Sequence, residues 1–142
     1  MKQTLALLLA ALLLLPAAVV AQQTTLVGQG TSLTAELLRY EPNPAEPGDL
    51  VTVNVVLTNE GGEVARGVEL ELVDSYPFSA ADPNEAAKQI TSIPGQQSTV
   101  TSFLVLVDKD APEGTAFLKV RYKPTNSAGW KESLLSLDIT TN

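Results

Sequence analysis

Apolar and polar residues alternate along most of the chain, and this period of two is the feature that most restricts the fold. In the segment LVTVNVVLTN (50–59), the odd-numbered apolar residues share one side of an extended backbone. The segment GVELELV (67–73) repeats the pattern with glutamates between its apolar residues. No segment beyond the N-terminal apolar stretch has a convincing helical period. The pattern therefore predicts strands that are buried on one face.

Alternating segments recur roughly every 10 to 20 residues, and turn-forming sequences lie between them. They predict strands at 31–40, 50–59, 67–73, 98–107, 116–123 and 130–140. A less regular stretch follows the third of these strands, and it allows a short helix around Pro83 to Gln89. Half-apolar strands at this spacing predict an all-β fold, an antiparallel β-sandwich of two sheets and about seven strands over residues 31–142.

The segment EPNPAEPGD (41–49) is rich in proline. Because proline fixes φ and lacks an N–H group, Pro42, Pro44 and Pro47 do not fit inside a central strand. We expect them to hold the chain extended between the first two strands. We expect Gly48 and Asp49 to turn the chain into the second sheet.

The first 21 residues have the layout of a secretory signal peptide. Lys2 precedes an apolar Leu/Ala block, and small residues lead to a predicted cleavage site after Ala21. The alternative is an uncleaved anchor, since Leu5 to Ala21 reaches the short limit of about 17 residues for crossing a bilayer. Either form predicts an extracellular or cell-surface location, with membrane contact only through an uncleaved segment. Residues 22–30 (QQTTLVGQG) are predicted to be a flexible tail.

Composition excludes several classes of function. Without Lys2, the mature chain has eight basic and sixteen acidic residues, a net charge of −8. Such a chain repels nucleic acid and anionic lipid, so we expect neither as a partner. The chain has no histidine and no cysteine, which excludes the usual zinc sites and the Ser-His and Cys-His nucleophiles. We expect no cofactor and no enzyme activity.

The charged residues of two strands are predicted to pair with each other. Glu69 and Glu71 lie on one side of their strand, as a glycosidase pair would, but their alternation with core residues favours a solvent-facing row. Lys119, Arg121 and Lys123 form a basic row. Pairing between such rows on neighbouring strands is favoured over anion binding.

Three acidic residues are the candidate ligands for a metal. Asp108, Asp110 and Glu113 carry the oxygen atoms that calcium prefers. Their spacing lacks the fuller ladder of acids found in dedicated calcium loops, so we expect no metal site.

The segment FLVLV (103–107) is apolar on both of its faces. Phe103, Val105 and Val107 share one face, and Leu104 and Leu106 share the other. A sandwich strand has one inner face, and alternation alone does not decide which set is inside. The outer set is covered either by the loop Tyr76-Pro77-Phe78 or by another subunit.

For the second alternative, the odd-numbered trio is the candidate assembly interface. Its predicted partners are Leu26 and Val27 in the N-terminal tail of a neighbouring molecule. An extended tail can add a strand to the edge of a neighbour's sheet.

Four short motifs together carry a resemblance to a known family. The segments EPNPAEPGD, TNEGG, SIPG and DAPEGT follow one another between alternating strands. This order resembles the Ig-like repeat of archaeal S-layer-related proteins, which is similar to the CARDB (cell-adhesion-related) modules of bacteria. The resemblance covers about residues 31–140. It implies an Ig-like β-sandwich and a role as spacer, adhesion unit or lattice component, and it supplies no catalytic residues.

Three functions are consistent with the sequence. The favoured one is a non-catalytic secreted or cell-surface structural or adhesion module that contacts other envelope proteins. The second is a self-assembling filament subunit that donates its tail to the next copy. The third is an accessory carbohydrate-binding module, for which Trp130, Tyr122 and Tyr76 are the stacking candidates, although a lone tryptophan in a hairpin is more often buried in a core.

Overall fold

The computed structural model describes residues 30–125 and 127–142. The predicted signal segment (1–21) and the tail as far as residue 29 lie outside the described residues. Among the residues described, no helix is long and apolar enough to cross a membrane.

The described chain folds into eight strands, with one short 3₁₀ helix at Pro83–Glu85. The strands are β1 (Leu33–Glu41), β2 (Leu50–Asn59), β3 (Ala65–Val73), β4 (Phe78–Ala80), β5 (Ala87–Ile93), β6 (Gln97–Val107), β7 (Gly114–Pro124) and β8 (Lys131–Ile139). The first sheet has the order β1-β2-β6-β4, and the second has the order β5-β3-β7-β8. Every named pair is antiparallel. The predicted β-sandwich is therefore confirmed.

Two of the eight strands were not predicted from the sequence. They are β4, of three residues, and β5, which occupies part of the stretch where a short helix was allowed. The helix is a single 3₁₀ turn. Asp82 caps its start by accepting a hydrogen bond from the Asn84 N–H at 2.9 Å, and Pro83 is its first residue. The chain becomes extended again one residue after that turn ends.

The core lies between the sheets and contains the side chains that the alternation predicts. All of its members are at most 7% exposed. From the strands with the clearest alternation they are Val51, Val53, Val55, Leu57, Val68, Leu70, Leu72, Leu118, Val120 and Tyr122. Burial of this apolar surface stabilises the fold by about 25 cal/mol for each Å² removed from water.

The proline-rich segment does not cross to the second sheet, so that prediction is wrong. β1 and β2 are hydrogen-bonded neighbours in the first sheet. The segment between them contacts the second sheet and returns: the Ala45 N–H donates to the Asp138 carbonyl, and the Thr140 N–H donates to the Ala45 carbonyl, both at 2.9 Å. Gly48, with φ of 88°, then directs the chain back, and its N–H donates to the Val107 carbonyl at 3.0 Å.

A β-bulge in β1 changes which residues of that strand are buried. The pairing with β2 shifts between Leu37 and Arg39, which leaves Leu38 54% exposed. Beyond the shift, Tyr40 points into the core, and its hydroxyl oxygen accepts a hydrogen bond from the Asp138 N–H at 3.0 Å. The extra residue reverses the alternation, as bulges do.

One buried side chain joins several segments at the end of the sandwich where β1 begins. Asn59 is fully buried. Its Oδ1 accepts hydrogen bonds from the N–H groups of Ser32 (3.2 Å) and Gly61 (3.1 Å). Its Nδ2 donates to the carbonyls of Glu63 (2.7 Å) and Ile93 (3.1 Å). The amide thus satisfies groups in the chain before β1, the turn after β2 and the end of β5.

We expect Asn59→Asp to destabilise the domain strongly. The substitution keeps the size of the side chain but removes both donated hydrogen bonds and places a charge in the core. A buried polar group left without its partner costs about 1–3 kcal/mol, and a charged group costs more. Thermal unfolding should show a fall in Tm of at least about 10 °C.

Asn54→Asp is the matched control, because Asn54 lies half-buried on the opposite face of the same strand. The Tm of the Asn54→Asp variant should differ from that of the wild type by no more than about 3 °C. Equal falls in Tm for the two variants would show that the Asn59 amide has no special role.

Candidate functional site: the uncharged face of the first sheet

The outer face of the second sheet is charged, and its charges are paired. Glu71 accepts hydrogen bonds from Arg121, with Oε2 lying 2.7 Å from Nε and 2.5 Å from Nη2. Glu69 Oε2 lies 3.8 Å from Lys123 Nζ, and Lys119 lies 3.9 Å from a glutamate on β8. The predicted pairing between the acidic row of β3 and the basic row of β7 is confirmed. These residues neutralise one another and hold β3 and β7 in register.

Trp130 covers this ion-pair row from outside. Its ring lies 4.4 Å from the Arg121 guanidinium carbon and 4.7 Å from Lys123 Nζ, measured to the ring centroid. The expectation that this tryptophan is buried in the core is therefore wrong. Because the loop before β8 lies over the outer face, the ring packs on the two cations instead.

The structure does not bring the three predicted sugar-stacking residues together. Tyr122 points into the core, while Trp130 lies on the outer face near the same end of β7. Tyr76 is 67% exposed near the other end of β7, where its hydroxyl donates to the Asp110 carbonyl at 2.9 Å. A carbohydrate platform needs neighbouring ring faces, and these three residues do not form one.

Two clefts in the described part of the chain are also poorly suited to a small ligand. One, of about 130 Å³, lies beside Tyr122, Lys123 and Lys131. Burial raises the pKa of the Tyr122 hydroxyl above its usual range, while a hydrogen bond with the Ala35 backbone acts in the opposite direction. The other, of about 400 Å³, is an open depression beside the Glu71–Arg121 pair. The first is smaller than the roughly 300 Å³ of a typical ligand site, and the second lacks enclosing walls.

The three acidic candidates for metal binding serve other contacts. Asp108 Oδ1 accepts a hydrogen bond from the Asp110 N–H at 2.8 Å, and Asp110 Oδ2 lies 2.6 Å from Lys109 Nζ. Glu113 Oε2 accepts a hydrogen bond from the Thr141 hydroxyl at 2.9 Å. Within the described ranges, no three acidic side chains come together as a set of metal ligands.

The structure reverses the proposed assembly interface on β6. Phe103, Val105 and Val107 are at most 2% exposed and belong to the core, so they are not available to another subunit. The outward residues are Leu104 (47% exposed) and Leu106 (39% exposed). The other predicted interface residues, Leu26 and Val27, lie outside the described residues.

Strand pairing explains this reversal. In the β2–β6 ladder, Phe103 lies opposite Val53 and Val105 lies opposite Val51. Residues directly opposite each other share a face of the sheet, and the odd-numbered residues of β2 are inside. The partner strand supplies the information that alternation within β6 lacks.

The Tyr76-Pro77-Phe78 loop does not cover the outward leucines. Phe78 is buried in the core, and β4 pairs beside β6, with Phe78 opposite Val107 and Ser79 opposite Leu106. Leu104 and Leu106 therefore stay exposed to solvent in the described chain.

These leucines belong to a larger uncharged strip on β2 and β6, which the charged residues Glu36, Arg39 and Glu41 of β1 border on one side. We call the outward residues of β2 and β6 the uncharged face. Its ten members are Leu50, Thr52, Asn54, Val56, Thr58, Ser98, Val100, Ser102, Leu104 and Leu106. Leu50 and Val100 are the most exposed apolar members, at 55% and 52%. The chain has 25 charged residues, yet all outward residues of these two central strands are uncharged. This face is therefore the main candidate contact surface.

Adjacent substitutions in β6 can test this assignment of faces. We expect Val105→Asp to destabilise the fold by several kcal/mol, because it buries an unpaired carboxylate. Leu104→Asp should change the free energy of unfolding by less than about 1 kcal/mol, because its carboxylate is hydrated. Urea unfolding of the two variants gives both values. A larger loss for Leu104→Asp would mean that the faces are assigned the wrong way round.

Comparisons with known proteins support the fold. The CARDB domain of a Pyrococcus furiosus protein, solved in complex with di-metal ions, superposes with a TM-score of 0.55 and 13% identity. The match covers 82% of this chain and 95% of that domain. The predicted likeness to CARDB modules is thus supported at the level of the fold.

One sequence relative is also similar. An uncharacterised protein of Methanocaldococcus jannaschii is 29% identical over 115 residues, which cover 77% of this chain. The alignment spans only 21% of that protein's length. No protein-family model matches the chain.

Proposed function

We propose that this protein is a non-catalytic structural or adhesion module, exported to the cell surface, that contacts other proteins of the cell envelope. The uncharged face is the observation that carries the proposal. The CARDB-like fold supports a non-enzymatic role. An envelope lattice of the S-layer kind is the setting that the sequence resemblance implies.

The pairing of the acidic residues supports a role without catalysis. A glycosidase needs two carboxyl groups whose environments give one a raised pKa and leave the other ionised. Glu71 is paired with Arg121 and Glu69 with Lys123, so each carboxylate has a cation beside it. Both glutamates therefore serve contacts between β3 and β7.

Export is supported by the apolar N-terminal segment. If a signal peptidase cleaves after Ala21, the secreted protein begins at Gln22, and its intact mass will match residues 22–142. We expect this mass in the extracellular or surface-washed fraction of cells that produce the full chain. A membrane-bound product that retains residues 1–21 would instead identify the segment as an anchor.

The chemistry of the uncharged face indicates the kind of partner. Its threonine, serine and asparagine side chains hydrogen-bond without carrying charge, and its leucine and valine side chains offer apolar contact. Glu36, Arg39 and Glu41 of β1 border the face beside β2. A surface of another envelope protein that is uncharged opposite β6 fits this arrangement, because a charged group there would lose hydration without gaining a counterion.

The size of the face indicates a weak contact. Two strands of ten residues cover roughly 300 Å², from the spacing and rise of β-strands. A standard interface buries roughly 800 Å² on each partner. One face alone is too small for tight binding, so attachment would depend on many copies or on a second contact.

Retention in the envelope tests this assignment. Leu104→Glu places a charge on the uncharged face, and we expect it to release the protein during washing at a salt concentration that retains the wild type. Leu134→Glu is the matched control, because Leu134 is 60% exposed on the outer face of the second sheet. Both variants should keep the wild-type Tm. Release of both, or of neither, would show that the uncharged face is not the attachment surface.

A further inference from the structure

One edge of the first sheet is mostly without a partner strand. β6 has eleven residues, and β4 pairs only with its last three, Val105–Val107. The final contact on that side is the Ala81 N–H, which donates to the Leu104 carbonyl at 3.0 Å. In the part of the chain that the structure describes, no strand pairs with residues 97–103 on the side away from β2.

Backbone geometry shows which groups this edge offers. Val107 exchanges hydrogen bonds with Gly48 and Asp49 on the β2 side, whereas the Leu104 carbonyl points to the β4 side. In an antiparallel strand, the direction of the N–H and C=O groups alternates with each residue. The peptide groups of Ser102, Val100 and Ser98 therefore point away from β2. We call this set the acceptor edge.

β6 itself lacks the features that protect other edges, and the charge beside it comes from β5, where Lys88 Nζ lies 5.8 Å from the centroid of the Phe103 ring. Proteins block exposed strand edges with charged side chains, prolines or bulges. β1 has a bulge at Leu37–Arg39 and charged residues on both sides of it, and β8 carries Lys131, Glu132 and Asp138. β6 contains no charged residue and no proline, and it pairs with β2 without a break in register.

We propose that the acceptor edge binds residues 22–29 of a second copy of this chain as an added strand. The side chains of that segment, QQTTLVGQ, carry no charge, and it contains no proline. Its only charge is the α-amino group of Gln22 at the start of the cleaved chain. Thr-Thr-Leu-Val favours an extended strand. Two copies of the chain that begins at Gln22, each with a net charge of −8, repel each other. An uncharged segment meeting an uncharged edge brings them together where that repulsion is least.

The geometry favours a neighbour's segment over the molecule's own. The Gly30 carbonyl accepts a hydrogen bond from the Glu63 N–H at 3.1 Å, which places the start of the described chain beside β1 and β2. Reaching the acceptor edge from the β2 side means crossing about two strand spacings, roughly 10 Å. Eight extended residues span roughly 26 Å, so only about five would remain to pair. A neighbour's segment can use all eight.

The added strand would continue the uncharged face. Leu26 and Val27 are adjacent, so their side chains point to opposite faces of the sheet. In an added strand, one of the two would extend the uncharged face, and the other would face the gap between the sheets. Because the donating segment and the accepting edge are different surfaces, the contact is head-to-tail and extends into a chain of molecules.

Cysteine cross-linking tests the contact, because the native chain contains no cysteine. Residues 22–142 carrying Thr25→Cys are mixed with a differently tagged copy carrying Ser102→Cys. We expect disulfide-linked heterodimers to form about tenfold faster than with a copy carrying Leu134→Cys, because binding raises the local thiol concentration. Leu134 is exposed on the other sheet. Equal rates with Ser102→Cys and Leu134→Cys would overturn the proposal.

Two further measurements separate the alternatives. A single chain carrying both Thr25→Cys and Ser102→Cys should form intermolecular links at high concentration. Rapid closure within one monomer at high dilution would overturn the second-copy assignment. In sedimentation, residues 22–142 should form concentration-dependent larger species, and residues 30–142 should stay monomeric with an unchanged Tm. A monomer at every concentration for both forms would also refute assembly.

This inference requires the chain to begin at Gln22, as in the proposed exported form, but it does not require the envelope partner. Cross-linking uses purified protein, whereas envelope retention uses cells. Failure of one experiment therefore leaves the result of the other intact.

Discussion

The hydrogen bonds of the buried Asn59 amide are the constraint on which one end of the sandwich depends. They connect the chain before β1, the turn after β2 and the end of β5, which lie in different sheets. The segments can approach this closely because Gly61 and Gly95 have no side chain. A Cβ atom on Gly61 would lie 2.2 Å from the Gly30 carbonyl oxygen, and one on Gly95 would lie 2.6 Å from the Gly62 carbonyl oxygen. The motif Thr-Asn-Glu-Gly therefore forms the turn after β2 and also connects that turn to the start of β1 and the end of β5.

The sequence predicts those parts of the fold in which one strand alone carries the information. β2, β3 and β7 each have one apolar face and one polar face, so their inward residues and the pairing of β3 with β7 follow from alternation. β6 is apolar on both faces, and only its register with β2 shows that Phe103 is inside and Leu104 outside. The return of the proline segment to its own sheet depends on hydrogen bonds to Asp138 and Val107, which are distant in sequence. The pattern of residues within one segment cannot predict such contacts.

The two outer faces of the sandwich divide the chemistry of the surface. On the second sheet, Glu71, Arg121 and Trp130 satisfy one another, so this face has little left to offer a ligand. On the first sheet, β2 and β6 present hydroxyl, amide and apolar groups without charge. A surface chemistry of this kind suits contacts that form by shape and by backbone pairing more than by long-range attraction. The candidate contact surface therefore lies on the uncharged residues of β2 and β6. Sequence motifs for catalysis or metal binding are sought among charged residues and do not point to it.

The contact between Ala45 and the end of β8 has a mechanical consequence. The described chain enters beside Asn59 and leaves beside Ala45, at opposite ends of the sandwich, so tension between its ends runs along the strands. Hydrogen bonds between strands are perpendicular to that direction. Pulling the ends apart would load the β1–β2 ladder and the parallel bridge between Ala45 and Ile139 in shear. The hydrogen bonds of the ladder would then break together rather than one after another. A module joined in series with its neighbours would carry load in its more resistant direction.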